Sequence, residues 1–372
     1  MGKTNYLRSP EVLSGKKEKY CIFLAGPIQG APDWRGDILN RDWPEDVMFL
    51  DPAQRGITDF NHQEQVDWET ENLNYCDEIL FWIPEEAEKI PGRDYAQTTR
   101  AELGEWLAKS SICGKKLIIG IHSDFPGRQY FVERATRDYG ISQIYDNLES
   151  LLGALRVDLK FLGDSPRQFF TSDTHFGSER ALELSKRPFK DVKEMDRAMI
   201  CRWNSMVRPQ DTVWHLGDFG NHEVVKYLNG KINLIFGNYE EEEAGSDRIK
   251  FHDRLIGLGF NSVSINGKAV LEQDWGPLVL AHKPTDAKKE FEEDGKIGFV
   301  TFGHIHGRQK CKTWGIDVGV DGNNFKPYSI DDLKFYKEAI EKYYDKLLTE
   351  LKDEYDFILF IKSCTFYINL QV

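Results

Sequence analysis

The stretch YCIFLAGPIQG, residues 20–30, decides how the first half of the chain is read. Six apolar or aromatic residues run without a polar break, and a glycine-bearing loop follows. An apolar run of this length reads as a strand buried on both faces. Moving outward, VMFLD (47–51), EILFWI (78–83) and KKLIIGI (115–121) have the same character. Helical patterns separate them at 33–43, 62–75 and 98–109, and FVERATRDYG and the run 145–156 follow. Strands alternating with helices predict βαβ units, hence a doubly wound parallel sheet of flavodoxin or Rossmann type over 20–157. Residues 1–19 form a polar leader. In such sheets ligands bind beyond the C-terminal strand ends.

The chain has 372 residues, and at about 150 residues per domain that length predicts two domains. With 40% hydrophobic residues, each half can bury a core. A formal net charge of −13 disfavours tracking along extended nucleic acid, although one nucleotide can still occupy one pocket. Cys21, Cys76, Cys113, Cys201, Cys311 and Cys364 are scattered and form no CxxC pair, so they read as reduced core thiols of a cytoplasmic protein. The first residues lack the apolar core of a secretion signal, and no apolar stretch reaches the roughly 18 residues of a membrane span.

After VDLKFLGDSPRQ (157–168) the pattern changes. Short strands now end in residues that can hold metal: Asp173 and His175 in SDTH, Asp218 in LGDFG, Asn238 in FGNYE, His282 in LAHKP, His304 and His306 in GHIHG. Carboxylate, imidazole and carboxamide together suit borderline divalent cations. Two such ions about 3.5–4 Å apart can clamp a phosphoryl group. Any one of these residues alone is more often a capped surface group; the ordered set is not. The tail from 334 to 372 begins as a helix opened by Ser329 and ends in the apolar run DFILFIKSCTFYINLQV.

The order DTH, GD, GN, H, GHxH over 165–333 resembles the calcineurin-like metallophosphoesterases, in a compact bacterial and phage branch. That resemblance implies an αββα sandwich, two sheets flanked by helices. It implies two divalent cations, Mn²⁺ ahead of Fe, Zn, Ni or Mg. Asp173, His175 and His306 would hold one, Asn238, His282 and His304 the other, and Asp218 would bridge. The family's usual histidine after GN is Tyr239 here, and Ser178 stands where a histidine is expected. Both departures fall on the leaving-group side, where His222 or His252 could compensate.

In the first half, IFLAGPIQG, WR, FLDP, CDEILFWIP and TRAELGEW resemble the nucleoside 2-deoxyribosyltransferase-like family. The resemblance implies that Glu102, read as lying in the first turn of its helix, attacks the anomeric carbon and displaces the base. Asp77 would protonate or position the base. Gly26, Gly30, Trp34 and Arg35 would line the substrate, with Arg35 available to a 5′-phosphate. Packing alone also accounts for the two glycines. The resemblance further implies a homo-oligomer with pockets completed across subunits. The two halves together read as a bifunctional nucleotide-processing hydrolase. The alternatives are a phosphodiesterase for a cyclic nucleotide or nucleic-acid end with a nucleotide-binding first domain, and a non-catalytic nucleotide sensor.

Overall fold

The structure is a computed structural model, and it describes residues 4–54, 61–287 and 298–344. The first sheet holds β1 (Tyr6–Arg8), β2 (Tyr20–Ala25), β3 (Val47–Asp51), β4 (Glu78–Ile83) and β5 (Lys116–Ile121), in the order β1-β3-β2-β4-β5. All four pairings are parallel, as expected of a Rossmann-like α/β sheet. The helices around it are α1 (Trp34–Leu39), α2 (His62–Tyr75), α3 (Gln97–Cys113), α4 (Arg128–Tyr139) and α5 (Leu148–Asp158). Side-chain alternation divides each apolar run between the two faces. Phe23, Ile79 and Phe81 pack with Trp68, Leu103 and Trp106 on one face; Ile22, Leu24, Leu80 and Trp82 pack with Trp34, Ile38 and Leu151 on the other. From β2 the chain turns to β3 on one side, then crosses to β4 on the other. The crevice of this switch therefore lies at the C-terminal ends of β2 and β4.

Two further five-stranded sheets follow. One holds β6 (Gln168–Thr171), β7 (Thr212–His215), β8 (Lys231–Ile235) and β9 (Ser262–Ser264), mutually parallel and edged by an antiparallel strand, Tyr328–Ser329. The other holds β10 (Lys268–Gln273), β11 (Gly276–Ala281), β12 (Phe299–Phe302), β13 (Cys311–Lys312) and β14 (Gly315–Asp317), in the order β10-β11-β12-β14-β13. Phe170, Leu216 and Ile235 of the first meet Leu278, Leu280, Phe299 and Ile316 of the second in one buried cluster. Phe169, Val213 and Leu234 point the opposite way, into Met195, Trp203, Phe251 and Leu255. Those partners lie on α7 (Val192–Asn204) and α9 (Arg248–Leu258); the shorter α6 (Glu179–Leu184) and α8 (Asn238–Ala244) fill strand-to-helix turns. Ser329 caps the helix Ile330–Ala339, accepting from the Asp332 amide at 3.2 Å. The apolar end of the chain, from 345 on, lies outside the described residues.

Three features depart from the sequence reading. The polar leader contains β1, whose three residues pair with β3, too short a strand to show as a period. Further on, the leader runs against the second half: the Lys17 amide donates to Lys226 O at 3.0 Å, and Lys16 Nζ to Gly230 O at 2.6 Å. The cysteines are not all free thiols, because Cys113 at the end of α3 and Cys201 on α7 form a disulfide; Cys21, Cys76 and Cys311 are free and buried. No helix among the described residues is long and apolar enough to cross a membrane.

The Asp77 carboxylate is buried where the halves meet. It accepts from Lys17 Nζ (2.7 Å), the Cys21 amide (2.6 Å) and Asn229 Nδ2 (2.6 Å). Beside it, Tyr75 at the end of α2 stacks on Tyr227 with ring centroids 3.9 Å apart. Removing one member of a buried ion pair leaves the other charge uncompensated, which costs roughly 3–5 kcal/mol. Asp77→Ala should lower the unfolding free energy by about that amount in urea titrations, and a loss below 1 kcal/mol would show that the pair does not hold the halves together.

Candidate functional site

At the C-terminal ends of β2, β3 and β4 lies a cleft of about 550 Å³, whose lining includes Gly26, Gly30, Gln54, His62, Gln65, Glu69, Arg93, Tyr95 and Glu102. Two carboxylates from different helices enter it. Glu102 is the sixth residue of α3, which starts at Gln97, so it lies in the second turn and not in the first as the sequence suggested. Burial raises its pKa to about 7, and the nearby Glu69 charge adds to the rise while Arg35 opposes it. Glu69 lies on α2 and is also raised, again by burial first. Gln65, one turn earlier on the same face, donates to Glu69 at 2.6 Å and to Pro52 O at 2.8 Å. Its own oxygen accepts from Ser9 (2.8 Å) and Gln54 (2.6 Å), so a buried amide network fixes the Glu69 side chain.

A second cluster gathers at strand ends of the two facing sheets. Ligand atoms of Asp173, His175 and His306 all lie within 4.8 Å of one another, and so do those of Asp218, His282 and His304. Asp218 stands between the groups, 3.7 Å from His175 Nε2 and 3.5 Å from a His282 nitrogen. Asn238 Oδ1 is 2.9 Å from His282 Nε2 and 3.0 Å from His304 Nδ1. The set suits divalent cations on three counts. Its donors are two carboxylates, four imidazoles and one amide. Asp173 Oδ1 and His175 Nε2 are buried without a hydrogen-bond partner among the described residues. His282 Nδ1 must donate to the Leu216 carbonyl at 2.7 Å, so Nε2 is the nitrogen that faces the cluster.

The backbone is strained to build this cluster. Asp173, His175, Asp218, His304 and His306 have φ of +56°, +48°, +57°, +72° and +50°. Each such non-glycine residue costs on the order of 1 kcal/mol or more, and strain of this kind concentrates at functional sites. Glu240 braces the turns: its buried carboxylate accepts from the Asp218 (2.8 Å), Phe219 (2.9 Å) and Gly237 (2.9 Å) amides. Burial acts to raise its pKa, but His222 and these amides outweigh that and hold it down at about 2.

Residues 19–125 match the family described as nucleoside 2-deoxyribosyltransferase like. The chain carries a nucleoside 2-deoxyribosyltransferase-like domain. Two curated relatives are similar over other measures. Uncharacterized protein MJ1445 of Methanocaldococcus jannaschii is 30% identical over 178 residues, 44% of this chain and 86% of its own length. Gene 66 protein of Mycobacterium phage L5 is 33% identical over 187 residues, 41% of this chain and 86% of its own. The chain belongs to one family with these two proteins. The solved structure of AQ665, a protein of unknown function from Aquifex aeolicus, is 21% identical over 46% of this chain and 99% of its own, with a TM-score of 0.38.

Within the nucleoside 2-deoxyribosyltransferase-like domain, three expected site residues do not line the cleft. Asp77 sits before β4, at the opposite strand ends from the Glu102 cleft, and is consumed by Lys17 and Asn229. Arg35 is buried: its guanidinium donates to the carbonyls of Leu24, Gly26 and Pro27 and lies on the Trp34 ring, so it fastens the 24–27 loop. Trp34 is buried too, donating to Pro27 O at 3.1 Å. Gly26 is required by packing, since a Cβ would meet the Trp82 carbonyl and the Trp34 ring; Gly30 is required by its φ of +76°. Glu69 and Gln65 were missed. Their four-residue spacing on an otherwise polar helix was the available signal, and its burial was not visible.

The second cluster brings together all seven expected cation-binding residues. Tyr239 is beside them, its ring edge-on to His175 at 4.8 Å and its amide donating to Asp218 at 3.0 Å. Ser178 caps α6, accepting from the Ala181 amide at 3.2 Å. His222 is buried against Glu240, and His252 is paired with its neighbour Asp253, so both are engaged away from the compensating role considered from sequence.

A raised Glu102 means that its protonated form favours folding. That contribution is full below the ordinary carboxylate range and is lost as pH rises through about 7. Carboxyl-carbon NMR should find Glu102 titrating near pH 7, and at lower pH in Glu69→Gln, which removes a like charge. Titration of Glu102 in the ordinary carboxylate range would show that the cleft does not desolvate it.

Proposed function

We propose that the nucleoside 2-deoxyribosyltransferase-like domain breaks the N-glycosidic bond of a nucleoside. The observation that carries this reading is the pair Glu102 and Glu69, facing one cleft at the switch-point strand ends with both carboxyls raised by burial. Ionised Glu102 attacks C1′ and forms a glycosyl ester as the C1′–N bond breaks. The departing base nitrogen must take up a proton, and Glu69, the second carboxyl in the cleft, can relay one to it. Water or a second base then attacks C1′ and releases Glu102 as a carboxylate, so configuration is retained. Among the described residues the charged lining is mainly acidic, with Glu69, Glu86, Asp94 and Glu102 against Arg93, and Arg35 is buried on backbone carbonyls and beside Asp51. That composition favours a nucleoside over the nucleotide expected from sequence.

The second cluster supports a phosphoesterase reading for the other half. Asp173, His175 and His306 would hold one divalent cation, Asn238, His282 and His304 another, with Asp218 shared. Such a pair, when bound, supplies Lewis-acid stabilisation and a nucleophile for a phosphate ester. Tyr239, whose ring lies edge-on to His175, would offer a leaving oxygen a hydroxyl hydrogen bond but no imidazolium charge.

These activities separate cleanly. Glu102→Gln should reduce base release from a nucleoside panel to background, whereas EDTA should leave it unchanged. EDTA and Asp218→Asn should both abolish phosphate-ester hydrolysis, and Asp218→Asn should bind fewer cations by elemental analysis. Base release that needs metal would overturn the division. Nucleoside binding with no base released would favour a sensor.

The wild type should also hydrolyse aryl phosphates far better than alkyl phosphates, because an aryl oxide leaves with little assistance. Tyr239→His should narrow that gap, measured as kcat/KM for one ester of each kind. A wild type that prefers the alkyl ester would make Tyr239 a dedicated substrate contact.

A further inference from the structure

Arg187 is buried on the turn after α6, and its guanidinium donates four hydrogen bonds to oxygen atoms. Its Nε and Nη2 donate side by side to the two oxygens of Asp321, at 2.9 and 3.0 Å. Nη1 donates to Thr174 O at 2.7 Å, and Nη2 also to Asp173 O at 2.6 Å. One guanidinium therefore grips both Asp321 and the strained turn that presents Asp173 and His175. A parallel fork of this kind fixes the carboxylate plane as well as its position.

Asp321 passes that constraint on. Its Oδ2 lies 2.8 Å from His306 Nδ1. A carboxylate held by arginine can only accept, so Nδ1 carries the proton. Ser185 Oγ is 3.0 Å from the same nitrogen. With Nδ1 committed, Nε2 is the nitrogen that His306 offers to the Asp173–His175 group. The ring stacks on His175 at 5.1 Å, with 11° between planes.

We propose that Arg187 and Asp321 are positioning residues which set the tautomer and orientation of His306 and so tune cation affinity at the Asp173–His175–His306 position alone. The proposal rests on the two-cation reading above. His304 and His282 receive nothing from Asp321, so the second position should not respond. An amide at position 321 would turn an NH₂ toward Arg187 or His306, both donors, and one contact would be lost.

The test is a Mn²⁺ titration of the full chain by calorimetry and electron paramagnetic resonance, with His306→Ala and His304→Ala marking which ion belongs to which position. Wild type should bind two ions. Asp321→Asn should weaken the His306 ion by about 10- to 100-fold, the usual effect of losing an outer partner of a ligating histidine, and leave the His304 ion unchanged. Arg187→Lys, which keeps the charge but not the fork, should weaken the same ion by a smaller factor, and serves if Asp321→Asn does not fold by circular dichroism. Two ions at wild-type affinity in the folded variants would overturn the positioning role. Equal weakening of both ions would mean general loosening and would overturn it too. A wild type that binds no Mn²⁺ would overturn the two-cation reading, and the proposal with it.

Discussion

A carboxylate taken out of water must find its compensation nearby, and Asp77 does so from three directions. Lys17 comes from the leader, the Cys21 amide from the start of β2, and Asn229 from the second half. Each partner belongs to a different part of the chain. The leader cannot detach without exposing Asp77, and the second half cannot shift without losing Asn229. Lys115 reinforces the same region by donating to the carbonyls of Asn74 and Cys76. An interface of this type depends on direction, because hydrogen bonds fail with small misalignments that an apolar contact would tolerate. The relative placement of the first sheet and the strands beyond it is thus specified by polar geometry, with the Tyr75–Tyr227 stack and the Cys113–Cys201 bond as neighbours.

The same economy of partners explains which parts of the molecule could be read from sequence. Strands β2 to β5 are buried on both faces, so composition alone marks them, nearly to the residue. The metal-capable residues were legible because each closes a short strand, and strand ends in adjacent parallel strands converge by topology. What failed was the assignment of roles to charged residues. Asp77 and Arg35 look like solvent-facing reagents in a one-dimensional string, yet each is saturated by partners tens of residues away or by carbonyls of a folded loop. Glu69 looked like one more acid on a charged helix, and only the fold shows that α2 turns that face into the cleft. β1 and the cysteine pair were hidden for a related reason: three residues carry no period, and a separation of 88 residues carries no spacing signal.

The two clefts also differ in how they are made rigid. Around Glu102 the fixing elements are neutral amides and hydroxyls, Gln65, Gln54 and Ser9, which hold a carboxylate without neutralising it. Around Asp173 and Asp218 they are charged or backbone groups, Arg187 and Glu240, which hold strained turns in place. The first arrangement suits a group whose proton must come and go. The second suits a fixed set of donors whose spacing must not change.

Helix α2 has a mechanical consequence. Glu69 and Tyr75 are six residues apart, roughly 9 Å along a rigid rod. One end supplies a carboxylate to the cleft, and the other rests on Tyr227. The contact with the second half is the fulcrum of a lever, and a 5° tilt about it would swing Glu69 by roughly 0.8 Å over that length. Proton transfer tolerates little more than that, so the two halves of the chain share a mechanical tolerance even though they share no reacting group.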